Sequence, residues 1–169
     1  MIGYRDATTA DGAELDPLAR AIWLDTFERG SSPDDAQAYL ATAYGPDGAL
    51  LRHLADPAYR FRLAIAEGRI IGYAKLNAPW LPDAEPGALQ LSQLYVVRAW
   101  QGRGVAHALM DWTIATARAG GAHALLLTVW EENARARRFY ERFGFVHIGD
   151  FPFPVGKQID TDHIMRLAL

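Results

Sequence analysis

A chain of 169 residues, 50% hydrophobic and 22% charged, can bury one sizeable core and is too apolar to be disordered. It has no cysteine, which excludes disulfides, thiolate nucleophiles and cysteine metal sites. A net charge of −3 argues against a nucleic-acid binder; with no membrane-length apolar run and no visible signal peptide, a cytoplasmic domain is expected.

The sequence predicts a strand over Ile2 to Thr8. Asp11, with Glu14 three residues on, has the spacing of a capping box. Leu15, Leu18, Ala19 and Ile22 then recur at helical intervals, and Trp23 and Phe27 extend the region. Ser32 and Pro33 read as the cap and first position of a second helix, whose apolar stripe is Ala36, Tyr39, Leu40 and Ala43. Gly45-Pro46-Asp47-Gly48 is a turn, and a short third helix covers Ala49 to Ala55.

The period then changes. Arg60 to Ala66 and Ile70 to Leu76 form a predicted hairpin about a Gly68-Arg69 turn. Pro79 to Gly87 is a proline-rich loop, and Leu89 to Val97 the next strand. A helix runs from Gly104 or Val105 to Ala119, with Val105, Leu109, Trp112 and Ala115 or Thr116 inward. Ala124 to Trp130 reads as a buried central strand. Asn133 caps a helix through Arg142 that Gly144 closes. Phe145 to Ile148 and His163 to Leu169 are the last strands, with a loop from Gly149 to Asp162 between them. There is no internal repeat and no domain-sized linker, so one mixed α/β domain over residues 1–169 is expected.

Charge is uneven. Residues 1–97 hold 13 acids and 8 bases, whereas residues 98–169 hold 7 acids and 9 bases. The second half suits an anionic cofactor and the first a cationic substrate. That second half contains the glycine turn of the most informative stretch, Tyr95 to Ala106. A strand enters a turn with glycines at 102 and 104, and a helix starts at once, so unpaired N–H groups form a cradle for an anion such as a pyrophosphate. An ATPase-type loop would need lysine and then serine or threonine after the glycines, and Val105-Ala106-His107 follow instead. A dinucleotide fingerprint needs a small third residue where His107 stands. A turn and helix start without a ligand is the structural alternative.

Gln101-Gly102-Arg103-Gly104-Val105-Ala106 resembles the pyrophosphate loop of the GCN5-related N-acetyltransferase (GNAT) superfamily, which binds acetyl-coenzyme A. Trp130-Glu131-Glu132-Asn133, Ala136 and Phe139 to Phe145 resemble that family's second cofactor motif. Gly72 to Asn77, Leu94-Tyr95-Val96, Phe151, Phe153, Gly156 and the Thr161-Asp162-x-Ile164-Met165 run resemble the bacterial PaiA-type spermidine/spermine N-acetyltransferases. The resemblance implies a GNAT-like α/β fold, a mixed, mostly antiparallel sheet of about six to seven strands flanked by helices. It implies an acetyl-CoA-dependent enzyme that acetylates a primary amine by direct attack in a ternary complex.

It also implies roles. Leu94, Tyr95 and Val96 would offer their backbone to the pantetheine arm. Gly102 and Gly104 would allow close approach to phosphate, with Gln101, Arg103, Val105 and Ala106 as backbone donors and Asn133, Ala136 and Phe139 completing the cofactor site. Asn133 can equally be a helix cap. Tyr140 matches the tyrosine that protonates the departing thiolate. Many members carry a glutamate base on the strand before the loop, but Leu91-Ser92-Gln93-Leu94 has no carboxylate. Glu131, Glu28, Asp25 or solvent remain to take the proton.

A polyamine would be held by carboxylates and aromatic faces, for which Trp23, Asp25, Phe27, Glu28 and Trp80 are available. Asp162 and His163 would border the thiol end. Peptide N-terminal or lysine acetylation and a non-catalytic acyl-CoA-binding module are the alternatives. The five histidines have no metal-ligand spacing, so no metal is expected. No membrane partner is expected, and an exposed final strand would allow a homodimer.

Overall fold

The computed structural model describes residues 1–169, the side chain of Glu28 excepted. Seven strands form one sheet in the order β1-β2-β3-β4-β5-β7-β6. They are β1 (Ile2–Asp6), β2 (Arg60–Ala66), β3 (Arg69–Asn77), β4 (Ala88–Val96), β5 (Ala124–Trp130), β6 (Val146–Val155) and β7 (Gln158–Ala168). The helices are α1 (Gly12–Phe27), α2 (Pro33–Ala43), α3 (Ala49–Ala55), α4 (Val105–Ala119) and α5 (Ala134–Arg142). All pairings are antiparallel except β4 with β5. This is the mixed, mostly antiparallel sheet flanked by helices that the motifs imply.

Two apolar layers cover the sheet. On one face Val105, Leu109, Met110 and Ala117 of α4 pack on Leu125, Leu127 and Val129 of β5 and on Ala74 and Leu76 of β3. On the other, Leu15, Ala19 and Trp23 of α1 and Ala36 and Leu40 of α2 pack on Leu63 and Tyr73. β5 is central and buried on both faces, as its unbroken apolar run predicts: Leu125, Leu127 and Val129 face α4, while Ala124 and Leu126 pack with Leu81 and Ala88. On α4 the expected inward residues Val105, Leu109 and Thr116 are buried, and the buried face is wider than expected. Met110, Thr113 and Ala117 are buried, Trp112 is half-buried and Ala115 is exposed.

Three local expectations change. Asp11 is the third residue of a cap that starts at Thr8. Its carboxylate accepts the Thr8 N–H at 2.7 Å and the Arg5 guanidinium at 2.6 Å, which holds its pKa down at about 2. Glu14 caps nothing; it accepts from Arg69 Nε and the Ile70 N–H, both at 2.9 Å, and so ties α1 to β3. The β2–β3 turn is centred on Glu67 and Gly68, both at positive φ, one residue earlier than predicted.

The largest change is at the C-terminus. The expected loop from Gly149 to Asp162 is instead most of a long β6–β7 hairpin turning at Gly156 and Lys157. Prolines at 152 and 154 suggest a loop, but β6 is an edge strand. Residues two apart send their N–H positions to the same side, so both prolines lack donors only where no neighbour needs them. β7, expected at the edge, lies between β5 and β6, and the free edges are β1 and β6.

Candidate active site

β4 and β5 pair only from Ala88↔Ala124 to Gln90↔Leu126. Beyond Gln90 the parallel strands part, and Leu91 to Val96 keep hydrogen-bonding neighbours only on the β3 side. The parting opens a cleft of about 990 Å³ with Leu91–Val96 on one wall and Thr128–Trp130 on the other. Ser92 is an extra residue in the β3–β4 ladder, where Lys75 pairs with Gln93 but Leu76 with Leu91. Such a bulge bends the strand beside the opening. Unpaired main-chain N–H and C=O groups on this inner edge suit an extended amide-bearing ligand.

The glycine turn closes one end of the cleft. Gly102 and Gly104 have φ of 75° and 82°, a region that favours glycine. A Cβ at either would meet nothing within 4 Å, so they serve the backbone path and leave open space above it. The first α4 amide with a helical acceptor is that of Ala108, which donates to Gly104 at 3.0 Å. Those of Val105, Ala106 and His107 have none, and the helix dipole adds positive potential there.

One residue of this loop acts differently from expectation. The Gln101 N–H is spent on the Arg98 carbonyl at 3.2 Å, so it is no anion donor. Its side chain donates to the Val96 carbonyl at 3.1 Å and accepts from Arg135, which ties the end of β4 to α5. Arg103 keeps its backbone role open, while its side chain is exposed and lies over Trp100 at 5.1 Å, away from the cleft. Val105 points into the core, 1% exposed, leaving only its backbone to the site.

From α5, Asn133, Ala136, Phe139 and Tyr140 all line the cleft. The Asn133 carbonyl oxygen accepts the Ala136 N–H at 3.2 Å, so it caps α5 and keeps its amide hydrogens available. Phe139 and Phe145 hold the Tyr140 ring edge-on, at 5.5 and 5.8 Å between centroids. Burial pushes the phenol above its ordinary value, so Tyr140 carries its proton at neutral pH.

The far wall is aromatic and acidic. Trp23 stacks on Tyr39 at 4.7 Å, Phe27 meets Trp130 edge-on at 5.9 Å, and Tyr39 contacts Phe153 at 5.8 Å. Gly30 lets the two sides approach, because a Cβ there would lie 2.8 Å from the Trp130 ring. Trp80 stands at the opposite rim, 45% exposed, and meets Phe151. Trp23, Asp25, Phe27 and Trp80 thus all reach the cleft. The Glu28 side chain lies outside the described residues.

Asp25 is exposed at the rim and faces Arg98 at 3.6 Å. Glu131 is exposed and does not line the cleft. Ser92 and Gln93 are held by neutral partners: Ser92 Oγ donates to Asn77 Oδ1 at 2.6 Å, and Gln93 Oε1 accepts from the Tyr73 hydroxyl at 2.9 Å. The sequence pattern placed Tyr39 only in the apolar stripe of α2 and Trp130 and Phe153 only within family-like motifs, and none of them, nor Asp160, as an acceptor-side residue. They converge only through the long β6–β7 hairpin and its packing on α2. The spacing Asp160-x-Asp162, with both residues on one face of a strand, was the available signal.

The Acetyltransferase (GNAT) family model matches residues 17–145, and the chain belongs to that family. An uncharacterised N-acetyltransferase of Mycobacterium tuberculosis is 34% identical over 155 residues, covering 90% of this chain and 96% of its own. Among solved structures, a PaiA N-acetyltransferase of Thermoplasma acidophilum in complex with coenzyme A is similar. It superposes with a TM-score of 0.80 at 20% identity, over 100% of this chain and 99% of its own. A putative acetyltransferase of Salmonella typhimurium with acetyl-CoA has a TM-score of 0.71 at 22% identity, over 100% and 94% of the two chains. At these identities the two structures bear on the fold alone. Membership of the family makes this an acetyl-CoA-dependent acetyltransferase, and the free β4 edge and uncapped α4 amides fit that cosubstrate. No helix is long and apolar enough to cross a membrane.

Proposed function

We propose that the chain acetylates the primary amine of a small cationic molecule, with polyamines such as spermidine or spermine as the leading class. One observation carries this reading. The anion-cradling turn and Tyr140 share a single cleft with an aromatic, carboxylate-bearing wall. A cation is drawn to both ring faces and carboxylates.

The acetyl-CoA pyrophosphate would lie on the Gly102–Gly104 turn and the first amides of α4. The pantetheine arm would follow the free edge of Leu94–Val96. Asn133 can donate to that arm without giving up its cap. The neutral amine attacks the thioester carbonyl, the C–N bond forms and the C–S bond breaks. Tyr140 donates its proton to the departing sulfur; its burial keeps that proton in place until negative charge develops on sulfur. The pair of acids on β7, Asp160 and Asp162, supports a cationic acceptor.

Calorimetric titration with acetyl-CoA tests the first half of this reading, and lack of binding sinks it. A panel of polyamines, aminoglycosides, arylamines and peptides, read by release of free thiol, tests the second. Turnover only with peptides would replace the small amine by a protein N-terminus or lysine.

A further inference from the structure

Amide formation needs a group that takes a proton from the amine, and β4 supplies none near the cleft, since Ser92 and Gln93 are neutral and engaged. Among the described residues, three carboxylates line the cleft: Asp25, Asp160 and Asp162. Asp25 is half-exposed at the rim beside Arg98. Asp160 accepts from Gln158 Nε2. Asp162 differs from both. It is 8% exposed, and none of the ion pairs formed by the described residues includes it.

Its place in the sheet is set by register. Asp162 is opposite Trp130 across the β5–β7 ladder, one pair beyond Val129↔His163 and two beyond Thr128↔Ile164. Partners directly opposite in an antiparallel ladder share a face, so Asp162 is on the same side as Trp130 and Thr128, which both line the cleft. Tyr39 of α2, Tyr95 of β4 and Tyr140 of α5 line the same cleft as Asp162.

We propose that Asp162 is the proton acceptor of the acetyl transfer, a role that rests on the acetyltransferase reading above. An incoming ammonium gives one proton to the Asp162 carboxylate, which releases it to solvent. The neutral amine then attacks the thioester. The second N–H proton passes to Asp162 as the C–N bond forms, while the Tyr140 proton goes to sulfur as the C–S bond breaks. Asp162 returns its proton to the tyrosinate through solvent. The products are the amide, free coenzyme A thiol and one proton.

The environment suits the task. Burial raises Asp162 to about 6, opposed by the Thr128 hydroxyl and helped by the lesser effects of the Asp160 and Glu131 charges. Tyr39 faces it from α2 and is neutral, itself pushed up to about 12 by burial and by Asp162. A base with a pKa near the working pH is ionised and still basic enough to be useful.

The test compares wild type, Asp162→Asn and Asp162→Glu, using the best acceptor from the amine panel. Acetyl-CoA affinity should stay within about twofold in both variants, because the site assigned to the cosubstrate is elsewhere. In Asp162→Asn, kcat should fall by about 100-fold or more, with a smaller change in acceptor KM. The wild-type rise of kcat/KM through about pH 6 should vanish with the carboxylate and persist in a partly active Asp162→Glu. The deficit should shrink for a weakly basic amine.

A kcat within about threefold of wild type, or a rise in KM alone, overturns the inference and leaves a binding carboxylate. Absence of the limb in the wild type overturns it even where Asp162→Asn does not fold. A wild type that binds no acetyl-CoA removes the acetyltransferase reading and this inference together.

Discussion

The two sides of the cleft are built by different means. The cofactor side, from β4 through α5, is made of backbone: a strand edge left free by divergence, two left-handed glycines and an uncapped helix start. The acceptor side is made of side chains from α1, α2, β5 and the β6–β7 hairpin, which meet across more than a hundred residues of sequence. Backbone devices constrain only a few residue types and tolerate the rest. A wall of side chains can be rebuilt by single substitutions, so it is where relatives of one family can diverge in acceptor.

The largest expected effect falls where the two sides meet. Tyr140→Phe should lower kcat by about 100-fold or more while leaving acetyl-CoA affinity nearly unchanged, as steady-state kinetics and calorimetry can show. An unchanged rate would leave the cofactor side with no chemical role beyond binding.

A second experiment asks whether the acceptor side sacrifices stability for function. The folded-state pKa of Asp162, about 6, exceeds the unfolded value, so the native state binds the extra proton. Its burial therefore costs nothing well below pH 4 and is fully felt above pH 6. Asp162→Asn should stabilise the protein at pH 7.5 by about 2–3 kcal/mol, with the gain fading as the pH falls towards 4. Denaturant melts across that range measure it, and a loss of stability at neutral pH would contradict the carboxylate's unpaired state.

On the cofactor side, Gly104→Ala forces a side chain into φ of 82° at a place with ample room. The strain of about 1–2 kcal/mol should appear as roughly tenfold weaker acetyl-CoA binding or as lost stability. An affinity unchanged to within error in a fully stable variant would show that the left-handed turn is dispensable. The smallest effect lies away from both sides. Asp11→Asn should cost about 1 kcal/mol at neutral pH. Because the Asp11 pKa is lowered to about 2, that contribution is present above pH 4 and disappears as the pH falls towards 2.

The same division governs what could be read in advance. The turn at Gly102 and Gly104, the Asn133 cap and the helix carrying Tyr140 depend on neighbours within a few residues, and each stands where its spacing places it. Gln101 kept its place but not its role, because whether its N–H or its side chain faces a ligand depends on Arg98 and Arg135. Pro152 and Pro154 argue for a loop by local rules, and only the edge position of β6 lets them stay in a strand.

By itself the sequence determined the family, the left-handed glycine turn and the capped helix that carries Tyr140, since all rest on contiguous patterns with a local steric or hydrogen-bonding cause. Only the tertiary structure decided the acceptor side. The burial of Asp162, its lack of a cationic partner and its access to the cleft arise from the pairing of β7 with β5 and from the cleft that α2 helps to wall. Desolvation is a property of everything around a group, and no short stretch of sequence encodes it.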